Sequence, residues 1–269
     1  MPTPSIPALA ARATAFKSLH TPGTPLILAN AYDATSARII GSLPGCRALA
    51  SASYALAKSI GIADEQLTLE QNLALLAPIA AVAHDLGLPL TVDIQDGYGG
   101  RLDEVITRVI TELGAVGANL EDSLHDEEGG RIMEESVAVG RVARAAEIAR
   151  ELGVGDFVLN ARSDTFFKGG DLEESIRLGK KYLEAGATIV YVIWPAGRDI
   201  VEEDVKRVID ELGGRVNIAP RKASQVQTKA LATADLARLG AARVSVGPLL
   251  YFAATAALTA AANEVLGGV

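Results

Sequence analysis

The chain has 269 residues, a formal net charge of −8, 49% hydrophobic and 22% charged residues, and one cysteine. The acidic balance disfavours binding to a phosphate backbone, the composition is that of a folded chain and not a disordered one, and a lone Cys46 excludes both an intrachain disulfide scaffold and a paired Cys-x-x-Cys zinc site. The opening MPTPSIPALAARATAF has neither the positive start nor the long apolar run of a secretory signal, so a cytoplasmic protein is expected.

In chain order, the patterning predicts a helix over 7–19 and then eight strands at 25–30, 47–51, 89–93, 116–121, 157–162, 188–193, 215–219 and 243–246. Most are nearly continuous apolar runs, as in parallel strands buried on both faces. Between and after them, apolar residues at three- and four-residue spacing predict helices over 33–43, 67–86, 102–113, 134–152, 172–185, 202–212, 224–239 and 249–266. Gly87, Gly114, Gly153, Gly186, Gly213 and Gly240 each follow a helix, where a left-handed residue commonly closes it. Eight β–α units predict a (β/α)8 TIM barrel, a single domain over 1–269 with the N-terminal helix closing its bottom. A doubly wound sheet would more often carry a glycine-rich loop after its first strand, where this chain reads Asn30-Ala31-Tyr32-Asp33. No charge occurs between Arg243 and Glu264, but the pattern breaks at Gly247-Pro248. The helical part over 248–262, with Thr255 and Thr259, reads as too short to span a bilayer and as a buried or interface helix.

Active sites of such barrels lie at the C-terminal ends of the strands. Those ends carry Asn30, Tyr32 and Asp33; Ser53, Tyr54 and then Asp64; Asp93, Gln95 and Asp96; Glu121, Asp122 and Ser123; Asn160, Arg162 and Asp164; Trp194; and Arg221 with Lys222. Asp64, Asp93 and Glu121 converge, with Gln95 nearby, and clustered carboxylates repel one another unless a cation or proton neutralises them. Oxygen-only ligands suit a hard cation such as Mg2+. Arg162 is placed to grip a carboxylate at two points, which makes the rim a receptor for a 2-oxo acid whose enolate charge would develop beside the cation. Plainer roles compete: Asp64 and Glu121-Asp122 as helix caps, Asp96-Gly97 as a turn, Arg162–Asp164 as a structural ion pair. His84 reads as structural, His125 as solvent-exposed, and Cys46 lies at the wrong end of the barrel for a nucleophile.

The run Asp93-Ile94-Gln95-Asp96-Gly97-Tyr98-Gly99 resembles the Asp-x-(Asp/Glu)-x-Gly-Tyr-Gly signature of the isocitrate lyase/phosphoenolpyruvate mutase superfamily. Asn30-Ala31-Tyr32-Asp33-Ala34, Ser53-Tyr54, Gly61-Ile62-Ala63-Asp64, Gly117-Ala118-Asn119-Leu120-Glu121-Asp122 and Asn160-Ala161-Arg162-Ser163-Asp164 follow in matching order. The resemblance implies a barrel whose last helix, here 249–269, is exchanged with a neighbouring subunit in a homodimer or homotetramer. It implies Mg2+ or Mn2+ at Asp93, with Glu121, Asp64 and Gln95 acting mostly through bound water. Ser53, Tyr54 and Arg162 would contact the substrate. A lid over 123–133, including Ser123, His125, Gly129, Gly130 and Arg131, would close the site.

The departures from the pattern narrow the chemistry. The lyases' Lys-Lys-Cys-Gly-His loop is absent, as are the mutases' lysine after the fourth strand and histidine after the sixth; the second signature acid is Gln95. The leading expectation is a metal-dependent carbon–carbon lyase acting on a small 2-oxo or 2-hydroxy dicarboxylic acid, oxaloacetate first. Arg162, Tyr54 and Glu121 are the catalytic candidates. Asn30, Tyr32, Ser53, Asp64, Arg162, Tyr54 and Trp194 would contact substrate, with Tyr54 and Trp194 forming an apolar wall. Alternatives are a phosphonopyruvate or phosphoenolpyruvate mutase or hydrolase using Arg221 or Lys222, a 2-methylisocitrate-type lyase, a pyruvate aldolase of another barrel family, and a non-catalytic 2-oxo acid binder. Neither nucleic acid nor membrane is an expected partner. Alanine at Asp93 or Arg162 is expected to abolish activity and spare the fold.

Overall fold

The structure, a computed structural model, describes residues 3–125, 130–195, 197–222 and 229–267. Helix α1 (Ile6–Ser18) buries Leu9, Ala13 and Phe16. There follow β1 (Leu26–Leu28), β2 (Asn30–Ala31), α2 (Ala34–Gly41), β3 (Leu49–Ser51), α3 (Ser53–Ser59), α4 (Leu69–Asp85), β4 (Leu90–Asp93), α5 (Leu102–Thr111) and β5 (Gly117–Glu121). The second half adds β6 (Ser123–Leu124), β7 (Arg131–Ile132), α6 (Glu135–Glu151), β8 (Val158–Ser163), α7 (Leu172–Glu184), β9 (Ile189–Val192), α8 (Glu202–Glu211), β10 (Val216–Asn217), α9 (Thr233–Leu239), β11 (Arg243–Ser245) and α10 (Leu249–Gly267).

The large sheet runs β1-β11-β10-β9-β8-β5-β4-β3-β2, every pairing parallel. Its two ends, β1 and β2, are halves of one extended segment parted only at Ala29, so the sheet comes round on itself as the expected α/β barrel. Helices pack outside and bury their apolar stripes, for example Val105, Ile106, Val109 and Ile110 of α5. Local chemistry sets the helix starts: Asp33 caps α2 from Ser36 N–H, Thr68 caps α4 from Gln71 N–H, and Asp171 caps α7. The cap of α4 is therefore Thr68, which leaves Asp64 free for the rim. The six closing glycines all adopt positive φ, between 62° and 110°.

Register places the site. Asp93, Asn119 and Asn160 sit side by side on β4, β5 and β8. A second row runs Glu121, Arg162, Tyr191, Asn217 and Arg243 across β5, β8, β9, β10 and β11. The barrel is tight at Gly117, where a Cβ would stand 2.8 Å from the Val158 carbonyl oxygen and 3.0 Å from Phe16.

Several expectations need correcting. The helix expected from 224 begins at Thr233, because Leu231 pairs with Arg221 in an antiparallel bridge; residues 223–228 lie outside the described residues. Helix α3 and the β6–β7 hairpin were not expected, being too short to show a periodicity. Helix α10 runs 19 residues to Gly267, long and apolar enough by composition to cross a membrane, so it is not too short to span. Nor is it buried within the chain, since none of its residues is.

Candidate active site

The rim between β3, β4 and β5 gathers two acids. Asp93, at the end of β4, accepts hydrogen bonds from Ser53 N–H at 2.9 Å, Asn119 Nδ2 at 3.0 Å and Gln95 N–H at 3.3 Å. Asp64 accepts from Gln95 Nε2 at 3.0 Å and Ser53 Oγ at 3.4 Å. Ser53 and Gln95 thus bridge the two carboxylates. Burial pushes the Asp64 carboxyl above its usual range, and the Asp93 charge pushes it further. Gln95 is buried and has φ of 52°, a left-handed conformation costing a non-glycine residue about 1–3 kcal/mol. The turn that holds it needs Gly97, whose added Cβ would meet Leu102 at 2.7 Å. Arg141 of α6 fastens the same turn, donating to the carbonyls of Gly99 at 2.7 Å and of Asp96.

Beside this pair lies a charged cluster on the neighbouring strands. Arg162 donates from Nε and Nη2 to Asp164 at 2.6 and 2.9 Å, and its Nη1 stands 2.7 Å from Glu121 Oε2. The last contact is an ion pair without hydrogen-bond alignment. Ser123 Oγ donates to Asp164 at 2.7 Å. His125 Nε2 meets the other Glu121 oxygen. Burial raises Glu121 to about 7 even against the Arg162 charge. Burial opposes charge on His125, but the Glu121 hydrogen bond and the charges of Glu121, Asp64 and Asp96 outweigh it and hold its pKa at about 9. His125 is therefore a largely buried group set against Glu121 within the rim, not the solvent-exposed side chain expected. Behind the strands, burial lifts Asp122 to about 6, and it accepts from Tyr182 Oη and Asp164 N–H.

The rim opens inward onto a cavity of about 50 Å3, with Asp93, Asn119, Asn160, Arg162, Tyr191 and Arg243 on its wall. Asn160 Nδ2 donates to Asn119 Oδ1 at 2.7 Å, and Asn119 in turn donates to Asp93, a chain of amides leading up to the acid.

The structure thus brings together Ser53, Asp64, Asp93, Gln95, Glu121, Ser123, His125 and Arg162. Of the other candidates, Asn30 also lines the cavity. The Tyr54 ring packs edge-on against Phe252 at 5.7 Å, with Lys58 over its face, so its side chain is committed to α10. Trp194 is 3% exposed and packs on Phe166, so its ring is spent in the core and not on the expected wall of the rim. Asn30 spends its amide on the backbone, donating to the Ser51 carbonyl and accepting from Val246 and Gly247 N–H, which staples β2 to its neighbours. Tyr32 stacks edge-on with Tyr251 at 5.2 Å. Gln95 directs its amide N–H at Asp64, which makes it an orienting donor to that acid. Arg162 meets Asp164 bidentately, so the plainer ion-pair reading holds for that edge and only part of the guanidinium remains for a substrate. Of the expected lid, Gly129 lies outside the described residues, while Gly130 and Arg131 belong to or adjoin the β6–β7 hairpin. Asn72, Asn119, Arg141, Tyr191 and Arg243 were not singled out. For the strand residues the signal was a polar side chain at an inward position of an apolar strand.

The phosphoenolpyruvate phosphomutase family model matches residues 16–266. The uncharacterized protein Rv1998c of Mycobacterium tuberculosis H37Rv is 30% identical over 256 residues, covering 94% of this chain and 89% of that protein. The 2,3-dimethylmalate lyase of Eubacterium barkeri is 26% identical over 195 residues, covering 70% of this chain and 64% of the lyase. The crystal structure of a Burkholderia cenocepacia J2315 chain, under the provisional description lyase/mutase, superposes with a TM-score of 0.82 at 32% identity, covering 97% of this chain and 91% of that one. With the signature turn at 93–99 and the strand-end acids in place on a closed barrel, the chain belongs to the phosphoenolpyruvate phosphomutase family of the isocitrate lyase/phosphoenolpyruvate mutase superfamily.

Proposed function

We propose that the chain is a Mg2+- or Mn2+-dependent lyase of a small 2-oxo or 2-hydroxy dicarboxylic acid, with oxaloacetate decarboxylation the first reaction to test. The observation that carries this reading is the Asp93 carboxylate, linked to Asp64 through Ser53 and Gln95, on a cavity that Arg162 also lines. The superfamily comprises lyases, mutases and hydrolases, typically divalent-metal dependent.

The donor set fits such an ion. Asp64 is driven toward protonation by burial and by Asp93, a repulsion that a cation relieves. Among the described residues no three His, Cys, Asp or Glu side chains are grouped to hold a metal, so Glu121 does not join Asp64 and Asp93 in one cluster as expected, and Mg2+ characteristically uses one or two carboxylates and keeps several waters. Asp93 and Asp64 would hold it, with Glu121 reaching it through water. When bound, the ion supplies positive charge against the negative charge that develops as the carbon–carbon bond breaks.

The chain's own residues do the rest. Ser53 and Gln95 orient the two acids. Arg162, held rigid by Asp164, presents its remaining N–H groups to a substrate carboxylate. His125, held against Glu121, is the side chain we assign as proton source for the carbanion carbon. The decisive assay is Mg2+-dependent loss of oxaloacetate, corrected for metal-only decarboxylation, with EDTA and Asp93→Ala controls. Turnover that survives both controls would sink the site assignment, and oxalate binding without turnover of any diacid would favour a binder. A second reading, a phosphonopyruvate mutase or hydrolase, draws on Arg198, Arg221 and Lys222, which line a pocket of about 710 Å3 beside the barrel mouth; turnover of phosphonopyruvate in place of oxaloacetate would select it.

The proposed assembly is a cytoplasmic homo-oligomer exchanging α10. Leu258, Val265 and Leu266 of that helix are exposed, and so are Ile27, Ile39 and Leu43 on the barrel flank. Ile27 faces out from a barrel strand, where a covering helix is normal.

A further inference from the structure

On the wall of the same cavity stands a group that the proposed chemistry leaves unused. Arg243, first residue of β11, is 3% exposed, and its Nε and Nη1 have no hydrogen-bond partner among the described residues. Buried arginines are almost always paired, because an uncompensated buried charge is costly. Burial lowers the Arg243 pKa to about 10, so it remains charged at neutral pH. The acid whose charge reaches it is Asp93, which already accepts three hydrogen bonds and makes none with Arg243. His20, on its other side, is held neutral by burial and by Arg243 itself, and offers no counter-charge. Two further buried polar atoms on the same wall are unpartnered, Thr91 Oγ1 and Asn160 Oδ1.

We infer that Arg243 is the receptor for the second carboxylate of the substrate. This rests on the reading of the rim as a 2-oxo or 2-hydroxy acid site and adds what selects a diacid. The cavity of about 50 Å3 has room for one or two waters, hence for a single carboxylate group and not for a second molecule of acid. Asp93, Asn119, Asn160, Arg162 and Arg243 all stand on its wall. A short diacid whose reacting end lies at the rim directs its far carboxylate onto the unpaired guanidinium, where the Thr91 hydroxyl can also donate. Arg243 is then a specificity residue, remote from the bond that breaks.

Malate and lactate differ at this position by one carboxylate, and isothermal titration of the full chain with each, Mg2+ present, reads the difference. A charge-assisted hydrogen bond to a buried group is worth about 10- to 100-fold in affinity. Malate is expected to bind tighter than lactate by that factor. Arg243→Gln should remove the advantage, bringing the malate-to-lactate affinity ratio to about one. Equal binding of the two acids to the unmutated chain, or a malate preference that survives Arg243→Gln, overturns the receptor alone. Binding of neither acid overturns the rim reading and the receptor with it. If the variant does not fold, a crystal structure of the unmutated chain with malate decides. A carboxylate oxygen within hydrogen-bonding distance of Arg243 supports the assignment, and both carboxylates bound elsewhere refutes it.

Discussion

Replacing Arg162 by alanine tests the charged cluster as a unit. The guanidinium lies between two carboxylates whose side chains are each 2% exposed, Glu121 and Asp164, and is itself 23% exposed. Removing it leaves the buried Asp164 without its cationic partner and Glu121 with His125 alone. Breaking a buried pair in this way costs about 3–5 kcal/mol, a large share of the roughly 5–15 kcal/mol that holds a typical domain folded. Urea denaturation followed by circular dichroism should show the midpoint fall by about 1–2 M for a slope of about 3 kcal/mol per M. The companion variant Arg162→Met/Asp164→Asn removes one of the stranded charges and should regain part of the loss. An Arg162→Ala midpoint equal to the parent's would refute the argument, because it would mean the cluster is solvated and contributes nothing. The same curve tests the expectation that alanine here spares the fold. Lost activity in this variant reports on folding as well as on substrate contact, and has to be read beside the denaturation curve.

Gly117→Ala should destabilise by about 1–3 kcal/mol, since the new methyl would sit 2.8 Å from a backbone carbonyl oxygen that cannot move aside; an unchanged urea midpoint would contradict the tight packing. Asp122 gives a pH signature. Its carboxyl is raised from 3.8 to about 6 in the folded chain, so between those values the native state holds a proton that the unfolded state has released. Its stabilising contribution is complete below about 4 and is lost as pH rises to about 6, by at most about 1.4 kcal/mol per pH unit. Asp122→Asn should flatten that slope in denaturation curves taken across the range, and a slope identical to the parent's would count against it. Deleting residues 249–269, or introducing Leu258→Asp with Leu266→Asp, should convert an oligomer to a monomer in light scattering behind size exclusion; an unmutated chain that is already monomeric would remove the helix-exchange proposal.

The sequence by itself determined the barrel. Parallel strands buried on both faces read as apolar runs, amphipathic helices as a three- and four-residue period, and helix ends as glycines, and all three signals are local. The strand-end positions followed from the barrel, which is why Asp93, Asp64, Glu121 and Arg162 were legible as a group before any contact was known. Only the tertiary structure decided what each of them faces. Whether Arg162 points at a substrate or at Asp164, whether His125 lies in water or against Glu121, and whether Tyr54 looks into the barrel or onto Phe252 depend on side-chain directions set by neighbours distant in sequence. The unpaired charge of Arg243 was hidden for the same reason. Its position at a strand start is a property of the chain, but its lack of a partner belongs to the closed interior, which exists only once β11 has paired with β1 and β10 and walled it off from water.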